Sequence, residues 1–325
     1  MNQMTKNLIY TLGVIVLLAI PLIASDFLTT MIIRIMYYSL LAIGFAFLAG
    51  QLGLISLAIP AFMAVSGYTI GILETRGLLS FPFSVLAAML MVLVIGAVFG
   101  IFVNRSQGIY FLMLTLILGQ IVWAIVLQWA SFTKGSSGII GIEKPDIMKW
   151  RLGETEVGFY YILLVCFILI VLAVLALTRS SFGLKLKGIR ESETRMKMLG
   201  YPVARLKWTA FMISAFISGT AGVFFVYYTG VMHPSSINLD SAAMVLIASI
   251  FGGVQSIIGA ILGMSIIKTF EISLSGLTQR YLIIIGTMFL LVIIYAPKGL
   301  MGLIYKNKYM QSLYQHWYRG GKKDE

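Results

Sequence analysis

Charge is the scarcest property of this 325-residue chain: Asp, Glu, Lys and Arg make up 11% of it, against 59% apolar residues. With a positive mean hydropathy, that balance excludes a soluble domain of this length and leaves a polytopic membrane protein. Cysteine is nearly absent. The single Cys166 lies inside an apolar run, which excludes a disulfide framework and a cysteine metal site. His233 and His316 stand far from each other and from Cys166, so neither a zinc site nor an acid/base pair has support nearby in the sequence. No GxxxxGKS/T phosphate loop occurs. In SFTKGSSG, residues 131–138, the lysine precedes the glycine, so that route to ATP hydrolysis is missing.

What is present is a series of apolar runs of about 17 to 25 residues, each long enough at 1.5 Å per residue to cross a ~30 Å hydrocarbon core. Candidate spans fall at residues 8–24, 27–49, 54–73, 81–103, 109–130, 159–178 and 208–229, then in a long region 241–270 and finally at 281–296. Helices are the default because they satisfy their own backbone in lipid. The first run follows Lys6 and ends at Ala24 and Ser25; Leu22 sits where a cleavage site wants a small residue, so an uncut anchor is expected.

The net charge of +12 is concentrated in loops and in the tail after Pro297, which points to a membrane surface and not to nucleic acid. Residues 179–207 carry Arg179, Lys185, Lys187, Arg190, Arg195, Lys197, Arg205 and Lys207 against only Glu191 and Glu193. The positive-inside rule places that loop in the cytoplasm. Alternation then puts residues 131–158 outside and the N-terminus inside. The tail, residues 297–325, is also inside if the region 241–270 crosses twice, turning at FGGVQS. The expected fold is therefore all-α, with about ten spans in two inverted five-span halves; one long tilted helix over 241–270 would give about nine.

Ionisable groups inside the spans are few. Asp26, Glu74, Asp240, Glu271 and Arg280 lie at span ends and Lys268 near one, while Arg34 is about two turns into its span. Ion coupling thus has weak support, and energy for transport is expected from another protein. Within the basic loop, Ile189, Met196 and Leu199 fit one helical face, Glu191 with Arg195 and Glu193 with Lys197 fit i, i+4 pairs, and Gly200 before Pro202 fits a helix stop. A short capped amphipathic helix is expected, suited to docking a partner or to lying on lipid. In the third span Ser56, Phe62, Ser66 and Tyr68 alternate polar and aromatic groups around Pro60; they are candidates for a solute pathway, with packing as the alternative. Gly219 and Gly222, beside Ser218 and Ala221, suit close helix packing.

The chain resembles the LivM-like branch of bacterial ABC importer permeases, which includes branched-chain amino acid and urea or amide permeases. The resemblance runs through GQLGLISLAIPAFMAVSGYT, RSQGIYFLMLTL, TKGSSGIIGI, SFGLKLKGIRESETRMKMLGY, LKWTAFMISAFISGTAGVFF, HPSS, FGGVQSIIGAILG and APKGLMGL, in that order. It departs from the family at Ala58 and Ile59, where glycine and histidine are common, and at Met196, Lys197 and Met198, where alanine, glutamate and alanine are usual. The resemblance implies a single permease domain that is not an enzyme and binds no cofactor. Two ATPase subunits would hydrolyse ATP, with a second related permease and an extracytoplasmic solute-binding protein completing an inner-membrane importer. It also implies a coupling helix carrying Gly188, Ile189, Arg190, Glu191, Glu193, Met196, Leu199 and Gly200. An amino acid is the expected cargo, with urea, amides or another small solute as alternatives; a stand-alone carrier or channel is the competing class.

Overall fold

The computed structural model describes residues 21, 25–145, 156–276, 280–295 and 299–306. The expected first span at 8–24 lies, but for residue 21, outside the described residues, as does the basic tail beyond residue 306.

The elements, in chain order, are α1 (Asp26–Leu52), α2 (Ile59–Thr75), α3 (Phe83–Val103), α4 (Gly108–Gln128), a single turn α5 (Ala130–Thr133) and β1 (Ile139–Ile140). Then come α6 (Glu156–Arg179), α7 (Ser181–Glu191), α8 (Glu193–Met198), α9 (Val203–Thr229), β2 (Val231–Met232), α10 (Leu239–Gly252), α11 (Ile257–Ser275), α12 (Tyr281–Tyr295) and α13 (Gly299–Lys306). Six of these, α1, α3, α4, α6, α9 and α11, are long and apolar enough to cross a membrane, and α2, α10 and α12 are shorter apolar helices.

One boundary differs from the sequence expectation for an identifiable reason, and one agrees with it. The run 54–73 is not helical from its start: residues 53–58 are irregular, and Pro60 opens α2 in place of interrupting it, because proline needs no intrahelical donor in the first turn. The freed backbone there is satisfied by side chains, with Leu57 N donating to Thr115 Oγ1 at 3.1 Å. The region 241–270 is two helices, as the break at FGGVQS leads one to expect. α10 ends at Gly252, Gly253 takes φ 111°, and Ser256 caps α11 by accepting from Gly259 N at 3.2 Å. The two pack back to back so closely that a Cβ on Gly252 would strike the Gly259 carbonyl, and one on Gly263 the Ala248 carbonyl.

The core is built on α1 and α9, both largely buried. α9 packs on α2 and α3, while α1 packs on α9, α10, α11 and α6. A Cβ on Gly222 would run into the Met63 carbonyl and Ser66 Oγ, so α9 and α2 touch backbone to side chain. Ser214 Oγ donates to the Gly44 carbonyl at 2.8 Å and joins α9 to α1.

Connections sort to two opposite ends. At one, α7 and α8 meet Gly50, Ser106 and Lys207. At the other, Glu74 accepts from Ser84 and Tyr227 at 2.6 Å each, Arg76 Nη2 donates to the Ser131 carbonyl, and β1 pairs antiparallel with β2. That short ladder, Ile139 opposite Met232, pins the long loop to the segment that follows α9.

Candidate functional site

The basic segment folds as two helices where one was expected. Ser192 leaves helical geometry (φ −162°, ψ 101°) and its Oγ accepts from Arg195 N at 3.2 Å, capping α8. Serine competes for backbone donors in this way, and the break turns α8 away from α7. Glu191 and Arg195 consequently sit on different helices, both exposed, whereas Glu193 and Lys197 form their i, i+4 pair at 2.8 Å. Ile189 and Met196 are buried, but Leu199 is 66% exposed and does not share their face. Gly188 permits the fold-back, because a Cβ there would stand 2.8 Å from Met196 Sδ. The expected stop is present: Gly200 takes φ 79°, its N–H donates to the Lys197 carbonyl and Tyr201 N donates to Met196, a Schellman closure.

Two contacts fix this element to the core, and a third bond extends the second of them to the turn before α4. Arg190 Nη1 donates to the Gly50 carbonyl at 2.6 Å, near the end of α1. Lys207, at the start of α9 and only 4% exposed, donates from Nζ to the Ser106 carbonyl at 3.0 Å, just before α4. The same ammonium reaches Glu193 Oε2 at 3.3 Å. Burial pushes the Glu193 carboxyl up, but the Lys197 hydrogen bond and the Lys207 charge outweigh it and hold the pKa below its usual value. Sequence reasoning named Arg190 and Glu193 but counted Lys207 only as a basic residue. Its partner Ser106 comes from the α3–α4 turn about a hundred residues upstream, and no local pattern announces it.

Against the core, α7 and α8 bury Leu186, Ile189 and Met196; outward they show Leu184, Met198, Leu199 and Tyr201. Such a surface can receive a force from a partner and pass it to α1, α4 and α9 together.

The four expected pathway residues all lie inside the chain's own packing. Ser56 Oγ accepts from Ala58 N, and Phe62 sits edge-on to Phe211 at 5.6 Å and beside Phe99 at 6.0 Å. Ser66 Oγ lies 2.7 Å from the Gly219 carbonyl and 2.9 Å from that of Met63, binding α2 to α9. Tyr68 alone of the four has a buried polar atom with no partner among the described residues.

A charged pair lies deeper than the sequence suggested. Lys268, 6% exposed, sits seven residues before the end of α11, roughly 10 Å along the helix. Its Nζ is 2.7 Å from Glu271 Oε2 and 3.5 Å from the centroid of the Tyr38 ring on α1. Tyr37, Tyr38, Phe225 and Tyr228 form an aromatic cluster around that ring, with centroids 4.9 to 6.4 Å apart. The one available signal was the Lys-x-x-Glu spacing inside an apolar run.

Residues 27–294 match the family described as "Branched-chain amino acid transport system / permease component". Among curated relatives, the high-affinity branched-chain amino acid transport system permease protein LivM of Escherichia coli K12 is 27% identical over 288 residues, covering 82% of this chain and 68% of the relative. LivH of the same organism is 26% identical and BraD of Pseudomonas aeruginosa 25% identical, each over 82% of this chain and 91% of the relative. No solved structure matches the chain significantly. The matched stretch begins one residue into α1 and closes one residue before the end of α12, so it takes in α7, α8 and both central helices: the chain belongs to the family of permease components of branched-chain amino acid transport systems, as a multi-pass membrane protein.

Proposed function

We propose that the chain is the permease subunit of an ABC importer that passes a branched-chain or related amino acid across the cytoplasmic membrane. Two ATPase subunits hydrolyse the ATP, a second related permease completes the pathway, and an extracytoplasmic binding protein delivers the solute. The observation that carries this reading is the anchored α7–α8 element, tied by Arg190 to Gly50 and by Glu193 to Lys207, which in turn holds the Ser106 carbonyl. Its density of Lys and Arg supports a cytoplasmic side for that end of the protein and, on this reading, for both termini. Gly188, Ile189, Arg190, Glu191, Glu193, Met196, Leu199 and Gly200 form the coupling element. When the ATPase pair closes on ATP, the surface around Met198 and Leu199 is pushed, and these contacts carry the motion to α1 and α9 and, through Lys207, to the start of α4.

Ten spans in two inverted halves fit this reading, counting the run 8–24 with α1 to α4 and setting α6 with α9 to α12. α1 and α9 each have 27 residues and each end on a left-handed glycine, Gly53 and Gly230. Each leads through an irregular connection to a shorter helix, α2 or α10. Packing is exchanged in the same sense: α9 lies on α2 and α3, α1 on α10 and α11. Inverted repeats of odd span number generate that exchange. The whole chain acts as one permease domain with a cytoplasmic loop, 179–207, and a cytoplasmic tail, 297–325. Ser56, Phe62, Ser66 and Tyr68 bear on the pathway by setting how α2 seats against α4 and α9.

The test is ATPase activity and solute uptake by the purified full assembly in proteoliposomes. Solute-dependent ATPase activity supports the reading, and its absence in a well-folded assembly defeats it. Glu193→Lys with Gly200→Pro should insert normally yet separate ATP hydrolysis from transport.

A further inference from the structure

The seam between α9 and α3 is closed by small residues: a Cβ on Gly219 would lie 2.9 Å from Val92, on Gly96 3.1 Å from Ala215, and on Gly100 2.7 Å from Trp208. The corresponding seam between α1 and α11 is packed as well, and at its cytoplasmic end a Cβ on Gly50 would lie 2.7 Å from the Val254 carbonyl in the α10–α11 turn. Farther along, it carries Tyr38, Lys268 and Glu271. Ionisable side chains within spans are costly, and where they persist they mark solute or ion paths. An apolar pair of similar size would pack this seam at least as well. The pair is also open on one side, since the Glu271 side chain keeps 25% of its exposure. Arg34, exposed, lies one turn before Tyr38 on the same face of α1.

We infer that Lys268, Glu271 and the Tyr38 ring form an intramembrane binding site for the zwitterionic head group of an α-amino acid. The solute carboxylate takes the place of Glu271 at the Lys268 ammonium, and the solute ammonium takes the place of Lys268 at Glu271 and over the Tyr38 ring. Every charge stays paired as the solute enters and as it leaves, when the Lys268–Glu271 contact re-forms. An uncharged solute such as urea has no use for such a pair. The inference rests on the amino-acid transport reading above and assigns its intramembrane contact.

The test uses the complete assembly in nanodiscs without binding protein and measures L-leucine binding by saturation-transfer NMR. The competitors are L-leucinamide, which lacks the carboxylate, and 4-methylpentanoate, which lacks the ammonium. The wild-type assembly should prefer L-leucine to each competitor by about tenfold or more, the weight of one charged hydrogen bond. Lys268→Met should lose the preference over leucinamide and keep that over 4-methylpentanoate, while Glu271→Gln should do the reverse. Lys268→Arg should keep both. The neutral double variant, Lys268→Met with Glu271→Gln, leaves no unpaired charge and should assemble with both preferences gone. Unchanged preferences in the single variants, an equal loss for all three compounds, or failure of both single and double variants to assemble would each overturn the site. ATP-driven L-leucine uptake by the wild-type assembly with its binding protein separates the two claims: uptake with unchanged preferences removes only this site, and no amino-acid uptake removes the transport reading with it.

Discussion

Replacing Lys207 with Met removes, among the described residues, the only ammonium that ties α8 to both α9 and the turn before α4. Its Nζ lies 3.0 Å from the Ser106 carbonyl and 3.3 Å from Glu193 Oε2, and the residue is 4% exposed, so water does not substitute for the lost partner. Hydrogen bonds from a charged donor contribute about 1.5 to 3 kcal/mol each. Glu193 keeps Lys197, so the net loss falls near the lower end, about 2 kcal/mol. At 1.4 kcal/mol per factor of ten, that shifts the docked population of α8 about 30-fold toward release. The variant should insert and assemble, hydrolyse ATP at close to the basal rate, and move roughly a tenth or less of the solute per ATP. Amide exchange should quicken about 30-fold over residues 193–200 and stay unchanged in α9 beyond its first turns. Lys197→Ala is the control: that side chain is 57% exposed, and an exposed pair contributes below about 1 kcal/mol. Native exchange and native coupling in Lys207→Met would refute the argument that this buried ammonium transmits the motion.

Three other outcomes are expected. Gly222→Ala drives a methyl into the Met63 carbonyl and Ser66 Oγ and breaks the Ser66–Gly219 contact, costing about 2 to 4 kcal/mol and lowering the apparent melting temperature of the assembly; Gly286→Ala, with nothing within 4 Å, should leave it unchanged. Because the Glu193 carboxyl is held below its ordinary value of 4.5, its stabilisation is complete above that pH and is lost as pH falls through the depressed value; a spin label at Arg195→Cys should gain mobility below pH 4.5 and not between 5 and 8. Gly200→Ala meets no neighbour but must hold φ 79°, so it should fray the end of α8 by about 1 kcal/mol, read as faster exchange at residues 199–201.

Legibility followed the range of the forces involved. The span at 159–178 was readable because solvation by lipid acts residue by residue, and α6 extends it by only a few residues at each end. The turn at Gly253 was readable because FGGVQS breaks an apolar run too long for one crossing. The break at Ser192 was missed, although serine followed by an acidic residue is a capping signal, because the surrounding i, i+4 pattern favoured one continuous helix. Leu199 shares a face with Ile189 and Met196 only on that same assumption. The role of Pro60 was not legible because it depends on where the helix begins, beside the point where Thr115 captures the backbone of Leu57.

The sequence by itself determined that this chain crosses a membrane as apolar helices, that a basic segment interrupts them, and that its motifs are those of importer permeases, since composition and local order suffice for each. Only the tertiary structure decided which carbonyls Arg190 and Lys207 would reach, that Ser66 would bind Gly219, and that Lys268 would lie against Tyr38 from a helix some 230 residues earlier in the chain. Those pairings depend on how α1, α3, α9 and α11 pack, and packing is fixed by glycine contacts between segments far apart in the chain, where no periodicity within one segment can record the partner.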